Sequence, residues 1–157
     1  MLSWEKTSFK TLAIENDVYG GICQRAWIEV NDQALIYNVQ QLKSLLSAKT
    51  QLMGVVKADA YGHGACKISK TILEAGVDWL AVATLPEGIE LRLAGIKAPI
   101  LILGAIDRPE QIQALAHWQL EPTICTPQQA LVFSETLSCQ IELCLLYTSD
   151  AADDPAS

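Results

Sequence analysis

Basic clusters are missing from this sequence, and their absence bears first on the choice of partner. Eleven Lys and Arg residues stand against 18 Asp and Glu, a formal net charge of -7. None of the bases gather into the stripe that a phosphate backbone requires. Nucleic acid is therefore excluded and a small-molecule partner favoured. Long hydrophobic runs are lacking too, since no stretch approaches the roughly 18 uninterrupted apolar residues of a membrane span, so the chain reads as soluble with no membrane partner. Met1-Leu2-Ser3-Trp4-Glu5-Lys6 offers no basic segment followed by an apolar one, which argues against a signal peptide. The five cysteines (Cys23, Cys66, Cys125, Cys139, Cys144) are odd in number and scattered, with no CxxC or Cys/His spacing. That excludes a disulfide framework and a zinc site, and they read as reduced thiols in a cytoplasmic protein.

What is present describes one globular domain: 157 residues, half of them apolar and only 18% charged. After a polar lead-in over residues 1–24, Ala26-Trp27-Ile28-Glu29-Val30 predicts a short strand, and Asn31 or Asp32 caps a helix with Leu35, Val39, Leu42 and Leu46 at helical spacing, ending near Ser47. An apolar strand then runs to Lys57.

From here a unit repeats. Ile68, Ile72 and Ala75 mark a helix stopped by Gly76, followed by a strand over Trp79-Leu80-Ala81-Val82-Ala83. Thr84-Leu85-Pro86-Glu87 is a capping box with proline inside it; Ile89 and Leu93 continue that helix, Gly95 stops it, and Pro99 to Gly104 form the next strand. Asp107 to Glu110 caps a third helix (Ile112, Leu115, Ala116) leading to strand Pro122 to Cys125. Thr126-Pro127-Gln128-Gln129 caps a fourth (Ala130, Leu131, Ser134, Leu137), leading to Gln140-Ile141-Glu142-Leu143. Strands apolar on both faces, each followed by a capped helix, predict a parallel sheet covered by helices and an α/β class. Periodicity leaves the doubly wound sheet and the β/α barrel both open; in either, ligands sit at the carboxyl ends of the strands, where Lys57 is placed.

A lysine closing an apolar strand beside small residues is partly desolvated, and a desolvated amine can attack an aldehyde or accept a proton. The turn Tyr61-Gly62-His63-Gly64 offers backbone N–H groups and a phenol to an anion, with a helix start nearby. Amine plus anion site suggests a phosphorylated carbonyl cofactor. Elsewhere, turn geometry explains His63 better than a contact with the cofactor region does, and His117 lies on a helix surface. Cys125 reads as a small core residue, and Trp4, Trp27, Trp79 and Trp118 share no spacing.

Val55-Val56-Lys57-Ala58-Asp59-Ala60-Tyr61-Gly62-His63-Gly64 resembles the pyridoxal-phosphate attachment signature of the alanine racemases, whose usual wording has Asn where Asp59 stands. Arg25 to Val30, Leu80 to Ala83 with Glu87, and Ala98 to Gly104 match as well, so the resemblance covers residues 25–143. It implies the first half of a TIM-type (β/α)8 barrel. Within it Lys57 holds pyridoxal 5'-phosphate covalently and Tyr61 hydrogen-bonds its phosphate; Leu85, at the end of the second strand, either lines the cofactor pocket or serves core packing, which explains it equally well. The implied function is interconversion of L-alanine and D-alanine for bacterial peptidoglycan, with Lys57 as the base on the D-alanine face. The family's opposite base is a tyrosine from the C-terminal β-domain of the partner subunit in a homodimer. No stretch here matches it or the arginine segment expected after the fifth strand.

Residues 144–157 abandon the repeat for small and acidic residues, and Cys144 through Asp153 resembles read-through of a sequencing adapter. They are set aside as a non-native tail, the alternative being a natural disordered terminus. The expectation is an inactive, poorly stable fragment of an active enzyme. The alternatives are a pyridoxal-phosphate barrel decarboxylase or racemase of another amino acid, or a non-enzymatic carrier of the cofactor. A strand over Arg25–Val30 argues against the carrier, because such a strand suits a separate β-domain.

Overall fold

The computed structural model describes residues 28–146. Their elements run in the order α1 (Asp32–Ser44), β1 (Met53–Val55), α2 (Lys57–Gly62), α3 (Ala65–Glu74), β2 (Trp79–Val82), α4 (Leu85–Leu93), β3 (Ile100–Ile102), α5 (Pro109–His117), β4 (Glu121–Ile124), α6 (Pro127–Thr136) and β5 (Cys144–Leu145). The helix starts follow from their caps. The Asn31 side chain accepts from Ala34 N–H at 3.0 Å, Thr84 and Glu87 form a reciprocal capping box, and Thr126 Oγ1 accepts from Gln129 N–H at 3.1 Å.

All five strands are parallel and lie in the order β1-β2-β3-β4-β5. This order decides between the two folds that periodicity leaves open. Right-handed crossovers that always step in one direction put every helix on the same face of the sheet, whereas a doubly wound sheet must reverse direction once. The chain is the first arc of a β/α barrel, its outer face helical and its inner face lined by strand residues.

The core lies between sheet and helices. Leu80, Val82, Ile100 and Ile102 from the strands and Ile112 and Leu115 from α5 are fully buried, each contributing roughly 1.5–3 kcal/mol of transfer free energy. Arg92 of α4 ties the amino-terminal edge of the sheet. Its guanidinium donates to the carbonyls of Ile96, Ala98, Trp118 and Gln119 at 2.7–3.0 Å, closing the loops that lead into β3 and β4.

Several expectations change. Ile28–Val30 belong to no strand and Ile28 is 65% exposed; Glu29 and Val30 border the cleft beside edge strand β1 without pairing with it, and Arg25 to Trp27 fall outside the described residues. The strand ending at Lys57 stops at Val55. The fifth strand lies at Cys144–Leu145, not at Gln140–Leu143, so it uses the first two residues of the stretch set aside as a tail. Helix α1 ends at Ser44, before Ser47. Leu42, Leu93 and Leu131 point outward, and Leu91 and Phe133 occupy the core positions of their helices. Cys125 is exposed rather than in the core, because it lies in the turn between the end of β4 at Ile124 and the start of α6. Trp4 and Cys23, like residues 1–24 and 147–157 as a whole, lie outside the described residues.

Candidate active site

Lys57 stands where β1 has ended, at the strand's carboxyl end. The residues after it wind the wrong way. Ala58, Asp59, Ala60 and Tyr61 have φ of 51°, 53°, 52° and 55° with ψ of 50°, 46°, 47° and 37°, close to the ideal left-handed α conformation. For residues carrying a Cβ, each such position costs about 1–2 kcal/mol, and four in succession persist only where the surroundings fix them.

Those surroundings can be named. Ala60 N–H donates to Val56 O at 2.9 Å within the turn, and the Ala60 methyl is buried against the core. Gly64 N–H donates to Asp59 O at 2.9 Å, and Ala65 N–H to Asp59 Oδ1 at 2.6 Å. Gly62 and Gly64 continue with positive φ, 85° and 90°, and an added Cβ at either would meet open space. His63 donates Nδ1–H to Ala60 O at 2.9 Å, so its ring closes the turn, as the sequence suggests.

The three residues singled out for the cofactor are placed as follows. Lys57 is half-buried, Tyr61 is 61% exposed at the far end of the turn, and Leu85 is 8% exposed at the start of α4, beyond the end of neighbouring β2. Lys57 and Leu85 thus share the carboxyl edge of the sheet, and Tyr61 rises from the same turn as Lys57. Neither the Lys57 amine nor the Tyr61 hydroxyl has a hydrogen bond or ion pair among the described residues. A free amine and a free phenol on one glycine-flanked turn fit a phosphorylated aldehyde.

A cleft of about 520 Å3 lies elsewhere. It runs between α1 and β1, with Tyr61 and His63 on its rim and Val39, Val55 and Ile72 among its walls; neither Lys57 nor Leu85 lines it. Its apolar lining is helix-to-strand packing surface, so the chemistry is read from the strand ends.

One residue of the site escaped the sequence reading in its full role. Glu87 Oε2 accepts the N–H groups of Ala83 and Thr84 at 2.8 and 2.9 Å, and Oε1 accepts that of Ala58 at 2.8 Å. Burial pushes its carboxyl up, and these backbone donors more than reverse this, holding it below the usual carboxylate range. The capping box announces the bond to Thr84; the bond to Ala58 joins residues 29 positions apart, and no local pattern encodes it.

Residues 30–145 match the sequence model of the family described as "Alanine racemase, N-terminal domain". The alanine racemase of a Nostoc species is 64% identical over 121 residues, 77% of this chain and 31% of that protein. That of a Synechocystis species is 60% identical over 116 residues, 74% of this chain and 31% of its own length. Among solved structures, alanine racemase from Bacillus anthracis with bound L-Ala-P superimposes with a TM-score of 0.71 at 33% identity, over 78% of this chain and 32% of that one. The chain therefore spans about 31% of the length of the curated relatives named here.

Proposed function

This chain belongs to the alanine racemase N-terminal domain family, and on that premise we propose that it supplies the cofactor-holding side of an enzyme interconverting L-alanine and D-alanine. Lys57 is the amine that takes pyridoxal 5'-phosphate, Tyr61 donates its hydroxyl to the phosphate, and Leu85 forms an apolar wall. When bound, that cofactor supplies an electron-withdrawing ring that makes the α-proton of an amino acid acidic. Lys57, at the strand end and released when the substrate's amine takes its place, would exchange the proton on the D-alanine face, removing it in one direction of the reaction and delivering it in the other, while the opposite-face base does the converse. The barrel part is assigned to residues 25–143, and β5 lengthens it to Leu145. The base for the opposite face and the group that holds the carboxylate come from outside it, the former from the partner of a homodimer. Such an enzyme works in the bacterial cytoplasm and provides D-alanine for peptidoglycan. Among the described residues no helix is long and apolar enough to cross a membrane.

The observation that carries this reading is the Lys57 amine, unpaired at the carboxyl end of β1 on a turn that also presents a free Tyr61. The expected strand over Arg25–Val30, which had spoken against a cofactor carrier, lends no support, since Ile28–Val30 are not in a sheet. The preference for racemisation rests instead on identity of 60–64% to alanine racemases. The test replaces the matching 121-residue segment of the Nostoc enzyme with this one and follows D-alanine formation. The chimera should racemise alanine and lose the activity with Lys57→Ala. A chimera equally active without Lys57 would sink the proposal.

A further inference from the structure

The two peptide groups that flank Lys57 are pinned to the same neighbouring unit. On one side Val56 N–H donates to Ala81 O of β2 at 2.8 Å. On the other, Ala58 N–H donates to Glu87 Oε1 at 2.8 Å, at the head of α4. Lys57 is thus clamped between β2 and the helix that follows it, and its second anchor is a side chain. That anchor holds Ala58, the first of the four left-handed residues.

The chemistry of the neighbours demands a carboxylate there. Glu87 faces three N–H groups, from Ala58, Ala83 and Thr84. The equivalent residue of α6, Gln129, faces a mixed set. Its Oε1 accepts from Cys125 N–H at 2.8 Å, and its Nε2 donates to the carbonyls of Ile106 and Thr123 at 2.9 and 3.2 Å. An amide satisfies that mixture, whereas at position 87 it would set an NH2 against a backbone donor. A capping box needs only the bond to the N-cap N–H, so the bond to Ala58 is additional to the helix's own requirements.

We infer that Glu87 is a positioning residue: its ionised carboxylate holds the left-handed turn after Lys57 and so aims the Lys57 amine. The inference rests on reading Lys57 as the cofactor-holding amine, and its consequences divide into one part that needs the cofactor and one that does not.

The test uses the full chain as wild type, Glu87→Gln and Thr84→Ala. Amide hydrogen exchange is measured at residues 58–61 and at 100–102, together with borohydride-trapped labelling of Lys57 and Lys97 by pyridoxal 5'-phosphate. Glu87→Gln should speed exchange in the turn and slow Lys57 labelling about tenfold, the scale of one charge-assisted hydrogen bond, while β3 exchange and Lys97 labelling stay as in the wild type. Thr84→Ala removes the hydroxyl half of the capping box but leaves the Glu87 to Ala58 bond, and should leave both turn readouts unchanged. The Ala58 amide resonance should also move with pH as Glu87 titrates, a response absent from Glu87→Gln. Equal effects from Thr84→Ala, or turn exchange and Lys57 labelling unmoved by Glu87→Gln, would overturn the inference. If instead wild-type Lys57 takes no label while the turn loosens as described, the cofactor reading fails and the role of Glu87 in holding the turn stands.

Discussion

The Asp59 side chain holds the start of the helix that follows its own turn: Oδ1 accepts the backbone N–H of Ala65 at 2.6 Å. Ala65 opens α3, where the first N–H groups have no intrahelical acceptor. The position makes two demands, a φ of 53° and a short acceptor within reach. Asp and Asn meet both, since they tolerate the left-handed region better than other residues with a Cβ and carry an oxygen at the right length. This accounts for Asp where the family signature usually has Asn. Asp59→Asn should therefore change stability by less than about 0.5 kcal/mol, and Asp59→Ala should cost about 1–2 kcal/mol. Urea denaturation followed by circular dichroism ranks the two, and an alanine variant as stable as the asparagine one would refute the double demand.

Glycine is required at Gly104 by a close approach of backbones. Its N–H donates to Ala83 O at 2.9 Å, and an added Cβ would press into that same carbonyl oxygen. At Gly54 the clash of an added Cβ is with a side-chain end, Ile72 Cδ1 at 2.6 Å. A methyl tip can rotate and a paired carbonyl cannot. Gly104→Ala should then cost more than Gly54→Ala, about 3 against about 1 kcal/mol on the scale of overpacked cores. The reverse order of melting temperatures would show that the ends of β2 and β3 are not held as described.

Glu121 and Glu87 titrate in opposite senses. Burial raises the Glu121 carboxyl and nearby Glu142 raises it further, with Arg92 pulling the other way. A carboxyl whose pKa rises on folding binds its proton more readily in the folded chain, so it opposes folding at neutral pH, and the opposition fades as pH falls through the raised value. Glu87 is held low, so its contribution is present above the unfolded carboxylate range and is lost as pH falls through the folded value. Glu121→Gln should stabilise the chain near pH 7 and Glu87→Gln destabilise it, both differences shrinking by about pH 3, below the ordinary carboxylate values. Denaturation midpoints at the two pH values decide this; shifts of the same sign at neutral pH would contradict the assignment.

Local features are legible in the residue order. Thr84-Leu85-Pro86-Glu87 and Thr126-Pro127-Gln128-Gln129 start helices because a cap hydroxyl and the backbone N–H that donates to it lie three residues apart, and Gly76 and Gly95 follow helix ends because glycine takes positive φ there without strain. Apolar strands alternating with capped helices made the class α/β, and the stretch around Lys57 carried the family resemblance. Tertiary structure decided what joins distant residues. The uninterrupted order of five parallel strands chose the barrel arc over the doubly wound sheet, a choice no strand pattern contains. Sheet pairing also moved the last strand to Cys144–Leu145, where β4 offers partners at Thr123 and Ile124. The left-handed winding after Lys57 runs against the local preference of Ala58 and Ala60, so it exists only because β2, α3 and Glu87 hold it. Lys57 could be picked out from its neighbours in sequence, but the direction in which it is held depends on a carboxylate 30 residues away, and chain neighbours carry no record of such a contact.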